Sequence, residues 1–479
     1  MQIELSGKIT IRWLDAKLLN WLANNYTINN PEYIIRARLN KWLKGIPKFL
    51  PLYTQYNTDM VTLPYGCLPE LMAYVWANYD PLDVDVIVHL NKDKTADWCS
   101  DDNPIKLRDY QREAVDAMKS CKVGILKAPC SSGKTVMGHI LAQEIGMKTL
   151  WLTHKISLLN QSKAIGELIL GKDRIGTISD GKAKIGSTIT YATVQTLAKM
   201  DVSLYQNEFN CLIVDECHRI TTKTSSSQMA YVANHINAEY KYGLSATPET
   251  HDGYFRTVLC NLGNIRHEID KDILEESGSI MPVTVQKIDT GWTYPEEAFN
   301  ANGAVDFNEA VSLLANDEER NRKIVNLIGF GKPTLVISNS IDQLVYIMNE
   351  LPPILQSRAC LVTTKHNEEI LTAKDVLRKH TAKQREKYID MLRYGELDIM
   401  FATYQLAKEG LNIPRLEQVI MAYPAIDPNI ITQTVGRVAR TSPGKESAIC
   451  YDLVDRPKYF QKKFTERKRI YKKQGIKVI

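Results

Sequence analysis

Short apolar runs that alternate with helix-length segments are the feature that most restricts how this chain can fold. In the first half the runs are VGIL (123–126), TLWL (149–152) and CLIV (211–214). Continuous apolar runs are typical of strands buried on both faces, and strands separated by helices pair in parallel. The pattern extends from about residue 106 to Arg266. It therefore predicts a parallel sheet covered by helices.

A second block repeats this alternation after an irregular stretch that reaches about residue 316. Its apolar runs are TLVISN (334–339), ACLVTT (359–364), LDIMFAT (397–403) and QVIMAY (418–423). Because 479 residues exceed what one core organises, we expect an α/β protein with two parallel-sheet lobes, preceded by a small N-terminal α+β domain. The expected boundaries are residues 1–105 (N-terminal accessory domain), 106–270 (first lobe), 271–316 (connector), 317–455 (second lobe) and 456–479 (basic C-terminal helix).

The composition narrows the class of protein. Apolar and charged fractions of 44% and 24% are those of a soluble globular chain, and a net charge of +5 does not by itself indicate a nucleic-acid partner. The N-terminal MQIELSGKIT lacks the apolar core of a signal peptide, and no apolar run reaches the roughly eighteen residues of a membrane span. Nine cysteines without a CxxC pair favour reduced thiols over a disulfide framework. We therefore expect a cytoplasmic protein without a membrane partner.

Residues 30–53, NPEYIIRARLNKWLKGIPKFLPLY, combine basic and aromatic side chains. This mixture is typical of nucleic-acid surfaces, where cations contact phosphates and rings stack on bases. It is equally typical of an amphipathic helix in a small domain. Both interpretations stay open for residues 1–105.

The C-terminal residues 456–479 contain ten Lys and Arg residues against one acidic residue, Glu466. Phe460, Phe464, Arg467 and Tyr471 recur at helical spacing, which predicts an amphipathic helix with one stripe packed on the protein. The basic face is expected either to contact phosphates or to be solvated.

Residues 127–136, KAPCSSGKTV, follow the run VGIL and precede a helical pattern that Gly146 can end. They match the phosphate-binding pattern [AG]-x-x-x-x-G-K-[ST]. In this pattern the glycine lets backbone N–H groups approach the phosphates, the lysine reaches the β- and γ-oxygens, and the threonine hydroxyl ligates Mg²⁺. The expected ATP-binding residues are Ala128, Pro129, Cys130, Ser131, Ser132, Gly133, Lys134 and Thr135.

Two carboxylates, Asp215 and Glu216, directly follow the apolar run CLIV. This is where the Walker B carboxylates of a nucleotide site belong. Asp215 is expected to hold Mg²⁺ together with Thr135, and Glu216 to polarise the attacking water as a general base. The alternative is a strand that ends in a charged turn, and the phosphate-binding loop about eighty residues upstream disfavours it.

Several further segments occur in a familiar order around these residues. They are LRDYQREAV (107–115), DECH (215–218), SATP (245–248), FATYQLAKEGLNIP (401–414) and QTVGRVAR (433–440). Together they resemble the motifs of superfamily 2 DExH-box helicases, over residues 107 to about 455. The resemblance implies two RecA-like lobes that use ATP and Mg²⁺, with SATP coupling the ATP state to nucleic-acid binding.

The resemblance also assigns roles in the nucleotide site. Arg108 and Gln111 correspond to the residues that read adenine, and Gly410 and Asn412 to ATP contacts of motif V. In motif VI the implied catalytic residues are Gln433, Arg437 and Arg440, which would reach the γ-phosphate from the second lobe. An arginine finger of this kind contributes roughly 10³–10⁵ in rate. Thr434 stands where the family often has arginine, which leaves that one contact in doubt.

Hydroxyl, amide and basic side chains in the same motifs are candidates for contacts to DNA phosphates. Each of them alone could be a helix cap or a turn residue. As a set they mark two lobes on consecutive phosphates of one strand. The candidates are Thr153, His154, Lys155, Gln161, Thr193, Gln195, Thr196, Ser338 and Thr403.

The segments LRDYQ, DECH and GLSATPETHDGY are similar to the XPB/UvsW-like branch of the superfamily, near bacteriophage branch-migrating helicases. This resemblance implies a monomer acting on single-stranded and branched DNA, such as forks and four-way junctions, with 3′→5′ polarity. It implies fork regression and branch migration in recombination, replication or repair, in the host cytoplasm if the protein is phage-encoded. The alternatives are a duplex translocase without strand separation, an RNA helicase and a non-catalytic binding protein.

The segment TTKHNEEILTAKDVLRKH (363–380) precedes a helical pattern in the second block. It has the length to form a protruding hairpin that separates strands. An ordinary surface loop is the alternative.

Overall fold

The computed structural model describes residues 1–91, 94–98, 105–220, 228–249, 253–363, 370–371, 376–377, 382–408, 411, 413–424 and 428–479. Two compact units are present. The first comprises residues 1–129 and 133–270, and the second comprises residues 271–479 together with 130–132.

The first unit carries the N-terminal region and a large parallel sheet. Its helices are α1 (Ala16–Asn25), α2 (Pro31–Arg38), α3 (Leu68–Asn78), α4 (Asp109–Lys119), α5 (Lys134–Ile145), α6 (Ile156–Leu170), α7 (Val194–Leu197), α8 (Gln228–His235) and α9 (Phe255–Leu262). Its strands are β1 (Gln2–Leu5), β2 (Lys8–Arg12), β3 (Thr27–Asn29), β4 (Phe49–Pro51), β5 (Thr54–Gln55), β6 (Met60–Pro64), β7 (Asp85–Val88), β8 (Val123–Lys127), β9 (Thr149–Thr153), β10 (Ile175–Ser179), β11 (Lys182–Lys184), β12 (Ile189–Thr193), β13 (Cys211–Asp215), β14 (Tyr240–Ser245) and β15 (Ile265–Glu268).

The N-terminal region is built on a five-stranded sheet in the order β5-β6-β2-β1-β7. Its strands β5, β6, β2 and β1 pair antiparallel, and β7 adds to β1 in parallel. Alternate residues such as Ile3, Ile9 and Leu63 point into a core with Leu18 of α1 and Leu71 of α3. An antiparallel sheet covered by helices is the expected α+β arrangement.

The eight-stranded sheet of the first unit has the order β11-β10-β12-β9-β13-β14-β8-β15. All its neighbouring strands are parallel except β10 and β11. The central strands β9, β12 and β13 are buried along their whole length, which explains their continuous apolar sequences. The carboxyl ends of β8, β13, β14, β9 and β12 therefore lie along one edge of the sheet.

The second unit contains the remaining elements. Its helices are α10 (Lys271–Glu276), α11 (Phe307–Asn316), α12 (Glu318–Leu327), α13 (Ile341–Asn349), α14 (Pro353–Gln356), α15 (Ala382–Tyr394), α16 (Tyr404–Lys408), α17 (Pro428–Val438) and α18 (Lys458–Lys473). Its strands are β16 (Thr284–Asp289), β17 (Thr334–Ser338), β18 (Ala359–Val362), β19 (Ile370–Leu371), β20 (Val376–Leu377), β21 (Ile399–Thr403), β22 (Gln418–Met421), β23 (Ile449–Val454) and β24 (Lys477–Val478).

A fully parallel seven-stranded sheet organises the second unit, in the order β18-β21-β17-β22-β23-β16-β24. The expected α/β fold with two parallel-sheet lobes is thus confirmed. Strand β16 comes from the stretch that sequence reasoning treated as an irregular connector, and it pairs with β23 along six residues. Its sequence TVQKID contains no continuous apolar run, and Val285 is the one fully buried residue of the six, which hid this strand.

Helix α18 has the expected amphipathic character. Phe460, Phe464, Arg467 and Tyr471 are all buried, as their spacing predicts. The guanidinium of Arg467 pairs with the Asp452 carboxylate at 2.7 Å, and the Tyr471 hydroxyl donates to the same carboxylate at 2.8 Å. Because both charges are paired and hydrogen-bonded, an arginine can occupy the packed stripe. A phosphate-binding role for the exposed basic face stays a prediction.

The segment considered as a strand-separating hairpin lies mostly outside the described residues. Within it, β19 and β20 pair antiparallel. In the described part of the chain, no helix combines the length and apolar character needed to cross a membrane.

The N-terminal region and the eight-stranded sheet share one core in the first unit. Val123 of β8 and Cys260 of α9 belong to the same apolar cluster as the N-terminal strands. At the edge of this cluster the Arg256 guanidinium binds both oxygens of the Glu70 carboxylate, at 2.6 and 3.2 Å. A Cβ atom on Gly66 would lie 2.4 Å from the Gly263 nitrogen, so only glycine permits this approach. The two sheets are therefore packed as one body.

Lys241 is the most unusual residue at this junction because its amine is completely buried. The amine donates to the carbonyls of Gly7 and Ala233, both at 2.7 Å, and lies 4.9 Å from the ring centre of Tyr65. Burial lowers the pKa of Lys241 to about 7. The side chain thus connects β14, α8 and the N-terminal sheet.

The pH dependence of unfolding tests this burial. Between about pH 7 and pH 10 the unfolded state holds a proton on Lys241 that the folded state has lost, so stability should rise with pH. Compared with Lys241→Met, wild-type protein should gain about 1.4 kcal/mol of unfolding free energy per pH unit in this range. Urea titrations at several pH values measure the difference.

Lys182, an exposed lysine of β11, supplies the control, because Lys182→Met should show the wild-type pH dependence. An unchanged difference between wild type and Lys241→Met across this range would mean that the Lys241 amine stays protonated when buried.

Candidate active site

The phosphate-binding loop connects β8 to α5, as the sequence pattern predicts. Ser131 and Gly133 adopt positive φ angles of 70° and 85°. Such left-handed residues turn the loop back on itself at the start of α5, where helix N–H groups point outward. The Lys134 amine donates to the carbonyls of Ala128 and Pro129, at 2.9 and 3.0 Å. The lysine amine therefore lies against the loop that is predicted to bind phosphate.

The segment predicted to read adenine packs against this loop. The backbone N–H of Arg108 donates to the Gln111 side-chain oxygen at 3.0 Å, at the start of α4. A Cβ atom on Gly133 would lie 2.4 Å from the Gln111 side-chain nitrogen. Gln111 is buried, whereas Arg108 is exposed. The structure thus brings Gln111 to the loop although 22 residues separate it from Gly133 in the sequence.

Asp215 ends β13 and Glu216 directly follows it, at the same sheet edge. Asp215 is buried, and Glu216 has a φ of 52°. A positive φ is strained for a glutamate, and such strain is common at functional sites. The Glu216 backbone N–H donates to the Asp215 carboxylate at 3.0 Å. The turn therefore fixes both carboxylates at the end of the strand.

The two carboxylates have different electrostatic environments. Burial and the adjacent Glu216 raise the pKa of Asp215 above its usual range. Burial also opposes ionisation of Glu216, but the hydrogen bond with His218 and the nearby Lys134 amine lower its pKa below the usual range. Glu216 is therefore ionised at neutral pH, which a general base requires.

The residues fit a bound Mg²⁺. Thr135 lies in the first turn of α5 and Asp215 ends β13, and both offer the oxygen donors that Mg²⁺ prefers. Asp215 is buried directly beside the Glu216 carboxylate, and a divalent cation would offset the cost of placing negative charge there. When bound, Mg²⁺ neutralises charge on the nucleotide phosphates.

His218 connects the carboxylates to the SATP segment. Its Nδ1 lies 3.2 Å from the Glu216 carboxylate and 3.1 Å from the Ser245 hydroxyl. The Ser245 oxygen also accepts the backbone N–H of Thr247 at 3.1 Å. Sequence reasoning did not select His218 or Ser245 as site residues. The histidine of DECH and the serine of SATP were the sequence signals that could have identified these two residues.

Two arginines of the second unit converge on one backbone carbonyl. Arg437 of α17 and Arg440 both donate to the carbonyl oxygen of Leu411, Arg440 at 3.3 Å. The side-chain oxygen of Gln433 is buried without a hydrogen-bond partner among the described residues. Gly410 and Asn412 lie outside the described residues. Motifs V and VI are thus adjacent within this unit.

The candidate DNA-contact residues of the first unit come together at one place. Thr153 ends β9 and Thr193 ends β12, and these residues are register partners in neighbouring parallel strands. The Gln195 amide donates to the His154 carbonyl at 2.8 Å, which joins the two loops. The other members are placed nearby in sequence: Lys155 caps α6, Gln161 is exposed on α6, and Thr196 accepts from the Thr193 hydroxyl at 2.9 Å.

The protonation state of His154 affects the charge at these loops. Burial and the neighbouring Arg219 and Lys155 lower the pKa of His154 to about 3. His154 is therefore neutral at physiological pH. Positive charge near His154 comes from Arg219 and Lys155 and not from the imidazole.

Ser338 differs from the other candidates because it is fully buried. Its hydroxyl donates to Gln343 at 2.6 Å and accepts the Ser340 N–H at 3.0 Å. The buried Ser338 hydroxyl therefore links the end of β17 to α13, whose N-cap is Ser340. A phosphate contact here would have to come from the exposed Asn339. Thr403 is half-buried at the end of β21, where its hydroxyl accepts the Leu406 N–H at 3.4 Å.

Comparisons with known proteins agree with this arrangement. Residues 104–250 match the family model "Type III restriction enzyme, res subunit", and residues 319–442 match "Helicase conserved C-terminal domain". The chain is 24% identical over 382 residues to DNA 3′-5′ helicase XPB of Kineococcus radiotolerans, covering 77% of this chain and 63% of that protein. It is 22% identical over 375 residues to the ATP-dependent DNA helicase uvsW of Enterobacteria phage T4, covering 72% and 68%.

Among solved structures, S. cerevisiae Dbp5 bound to RNA and ADP BeF3 matches with a TM-score of 0.52 at 13% identity, covering 78% of this chain and 90% of Dbp5. This likeness concerns the fold alone. The two parallel-sheet lobes, the phosphate-binding loop and the paired carboxylates define a P-loop ATPase of the two-lobed helicase class. The chain belongs to superfamily 2 of the helicases, in its XPB/UvsW-like group. It is accordingly an ATP-hydrolysing enzyme.

The predicted general-base role of Glu216 can be tested by substitution. In Glu216→Gln the carboxamide can still accept a hydrogen bond but cannot take a proton, so the rate of ATP hydrolysis should fall about 10²–10⁴-fold. The affinity for a non-hydrolysable ATP analogue should stay within about threefold of wild type. Steady-state ATPase assays and analogue titrations measure the two quantities.

Glu249→Gln is the matched control, since the Glu249 carboxylate is paired with Lys127 at 2.6 Å and is half-exposed. An exposed pair contributes little, so this variant should keep wild-type activity. If Glu216→Gln hydrolysed ATP at the wild-type rate, another residue would have to activate the water.

Proposed function

We propose that this protein is an ATP-driven DNA motor that unwinds and remodels branched DNA, by fork regression and branch migration, with 3′→5′ polarity. The observation that carries the proposal is the shared sheet edge of the first unit. The phosphate-binding loop, the Asp215–Glu216 pair and the two joined loops after β9 and β12 all lie at the carboxyl ends of its strands.

DNA as the substrate is supported by the relatives. The Kineococcus protein is named a DNA 3′-5′ helicase, and the phage T4 protein an ATP-dependent DNA helicase. Hydroxyl and amide groups at Thr193, Thr196 and Gln195 would contact phosphates without reading bases. A motor that moves along any sequence requires this kind of contact.

ATP hydrolysis would supply the motion. Lys134 would contact the β- and γ-phosphates, and Glu216 would accept the proton of the attacking water. The resemblance to motif VI assigns Arg437 and Arg440 to charge on the γ-phosphate. The hydrogen bonds of His218 to Glu216 and Ser245 tie the base to the SATP segment. Loss of the γ-phosphate would therefore affect the position of residues at the end of β14 as well as at the end of β13.

Branched DNA is supported by an exposed surface on the N-terminal region, residues 34–49, which we term the basic-aromatic surface. Five basic and no acidic residues occur in it. Trp42 is 74% exposed and Phe49 is 53% exposed, although such rings are usually buried. Cations next to exposed rings suit unpaired bases and their phosphates. Because this region shares a core with the eight-stranded sheet, it would hold such DNA at a fixed position relative to the first-unit loops.

The energetics favour remodelling over simple melting. Separating base pairs costs on average about 1.4 kcal/mol per step, whereas exchanging one duplex for another is nearly balanced. A branch-migrating motor therefore mainly needs direction and grip, which the ATPase and the basic-aromatic surface would provide.

Two other functions remain as alternatives. A duplex translocase would use the same ATPase without separating strands, and the first family model is named after a restriction subunit. An RNA helicase would use the same phosphate contacts, since phosphates do not report the 2′-hydroxyl of the sugar. Each alternative predicts a different stimulating nucleic acid.

ATPase rates with different nucleic acids test the proposal. We expect forks and four-way junctions to stimulate hydrolysis several-fold more than linear duplex or single-stranded RNA, at one fixed salt concentration. Lys134→Ala should abolish hydrolysis with every substrate, which excludes a contaminating ATPase. Equal stimulation by linear duplex would identify a translocase, and stronger stimulation by RNA an RNA helicase.

The basic-aromatic surface yields a separate prediction. Trp42→Ala should weaken fork binding about fivefold or more through lost stacking, without changing the salt dependence. Lys44→Ala should instead lower the slope of log K against log salt by about 0.7 to 0.9. Fluorescence anisotropy with a labelled fork, titrated at several salt concentrations, separates these effects.

Trp76→Ala is the matched control, because Trp76 is 48% exposed on α3, outside this surface. Equal effects of Trp42→Ala and Trp76→Ala on fork affinity would show that the basic-aromatic surface has no special role.

A further inference from the structure

A buried histidine lies one helical turn beyond the phosphate-binding loop. His139 of α5 is completely buried, and its Nδ1 lies 2.6 Å from the carbonyl oxygen of Thr135. Its Nε2 lies 2.6 Å from the hydroxyl of Tyr191 on β12. One imidazole thus joins the helix of the nucleotide site to a strand that ends in a candidate DNA contact.

The direction of both hydrogen bonds follows from their partners. A carbonyl oxygen only accepts, so Nδ1 carries the proton and donates to Thr135. With its one proton on Nδ1, the neutral imidazole presents Nε2 as an acceptor, and Nε2 accepts the hydroxyl proton of Tyr191. The pair has one defined arrangement.

The surrounding residues are shaped to hold this pair. A Cβ atom on Gly166 of α6 would lie 1.9 Å from the Tyr191 hydroxyl, so only glycine leaves room for it. Trp151 of β9 stacks on the imidazole, with ring centres 4.4 Å apart and planes 25° apart. Its indole N–H is buried without an acceptor among the described residues. The cluster is closely packed between α5, α6 and the strands β9 and β12.

The register of the sheet relates this cluster to the DNA-contact loops. Trp151 and Tyr191 are direct partners in β9 and β12, and two residues further on the partners are Thr153 and Thr193. Two residues of strand span roughly 6.6 Å and keep the same face. A displacement of either loop would therefore reach the cluster through a short and stiff connection.

We infer that the His139–Tyr191 hydrogen bond is a positioning contact that couples DNA binding at the loops after β9 and β12 to nucleotide binding at the phosphate-binding loop. The inference rests on the proposed function, because it assumes that these loops bind DNA. Neither His139 nor Tyr191 touches a substrate. They set the position of Thr135 relative to Thr153 and Thr193.

Coupling between two sites is reciprocal, and this property provides the test. DNA should change the affinity for a non-hydrolysable ATP analogue by some factor, and the analogue should change DNA affinity by the same factor, typically about 5- to 150-fold. In Tyr191→Phe the hydroxyl is lost, and both factors should fall to within about twofold of one. Analogue affinity without DNA should stay within about twofold of wild type. Titrations of a fluorescent analogue and a labelled oligothymidine measure all four affinities.

Matched variants separate coupling from general destabilisation. Tyr242→Phe removes another buried hydroxyl of the same sheet, which donates to the Cys121 carbonyl at 2.7 Å, and should keep the wild-type factor. His139→Gln can place an amide oxygen near the position of Nε2 and should retain more coupling than His139→Asn, which cannot reach Tyr191. Circular dichroism and thermal melting confirm that each variant is folded.

The possible results distinguish the inference from the function on which it rests. A wild-type factor well above one that persists in Tyr191→Phe, or that falls equally in Tyr242→Phe, would overturn the coupling role while leaving the DNA motor intact. Wild-type protein that binds the analogue but no DNA would overturn the proposed function and the coupling together. Selective loss in Tyr191→Phe, with recovery in His139→Gln relative to His139→Asn, would support the coupling role.

Discussion

Parallel pairing of strands is the constraint on which the rest of this structure depends. Parallel strands end at a common edge of the sheet. Pairing of the strands therefore brings together residues that are distant in sequence, even where their side chains do not touch. In the first unit this edge receives the phosphate-binding loop after β8, the carboxylates after β13 and the SATP segment after β14. It also receives the loops after β9 and β12. The residues of the nucleotide site and the loops proposed to contact DNA are thereby placed on one sheet edge, which we term the platform.

Buried polar groups occur where this platform meets its neighbours. Lys241 joins the eight-stranded sheet to the N-terminal sheet, and His139 joins α5, the helix after the phosphate-binding loop, to β12. In the second unit, Arg320 and Asp455 form a buried pair at 2.8 Å. A buried polar group that loses its partner is costly, so each pair specifies one arrangement of the elements that it connects. Stiff connections of this kind suit a protein that converts a local chemical change into motion.

Much of the fold could be predicted because local signals agreed. Continuous apolar runs identified strands such as β9, β13 and β21, and the loop pattern identified Lys134 and Thr135 as the start of a helix. Strand β16 was missed because its residues carry no continuous apolar signal. Ser338 was chosen for its place at the end of a strand, but it is fully buried and its hydroxyl donates to the Gln343 side chain of α13. Burial of that kind depends on packing and not on sequence spacing.

The sequence by itself determined the class of chemistry, because loops that bind phosphate and carboxylates that activate water need particular residue types at particular spacings. It also determined the two α/β lobes, since strand and helix periodicities are local. Tertiary structure alone decided which of these residues meet. The contacts of Gln111 with the phosphate-binding loop, of Gln195 with His154 and of His139 with Tyr191 arise from strand order and register. These are properties of long-range pairing, which depends on how all the strands pack together and leaves no local pattern in the chain.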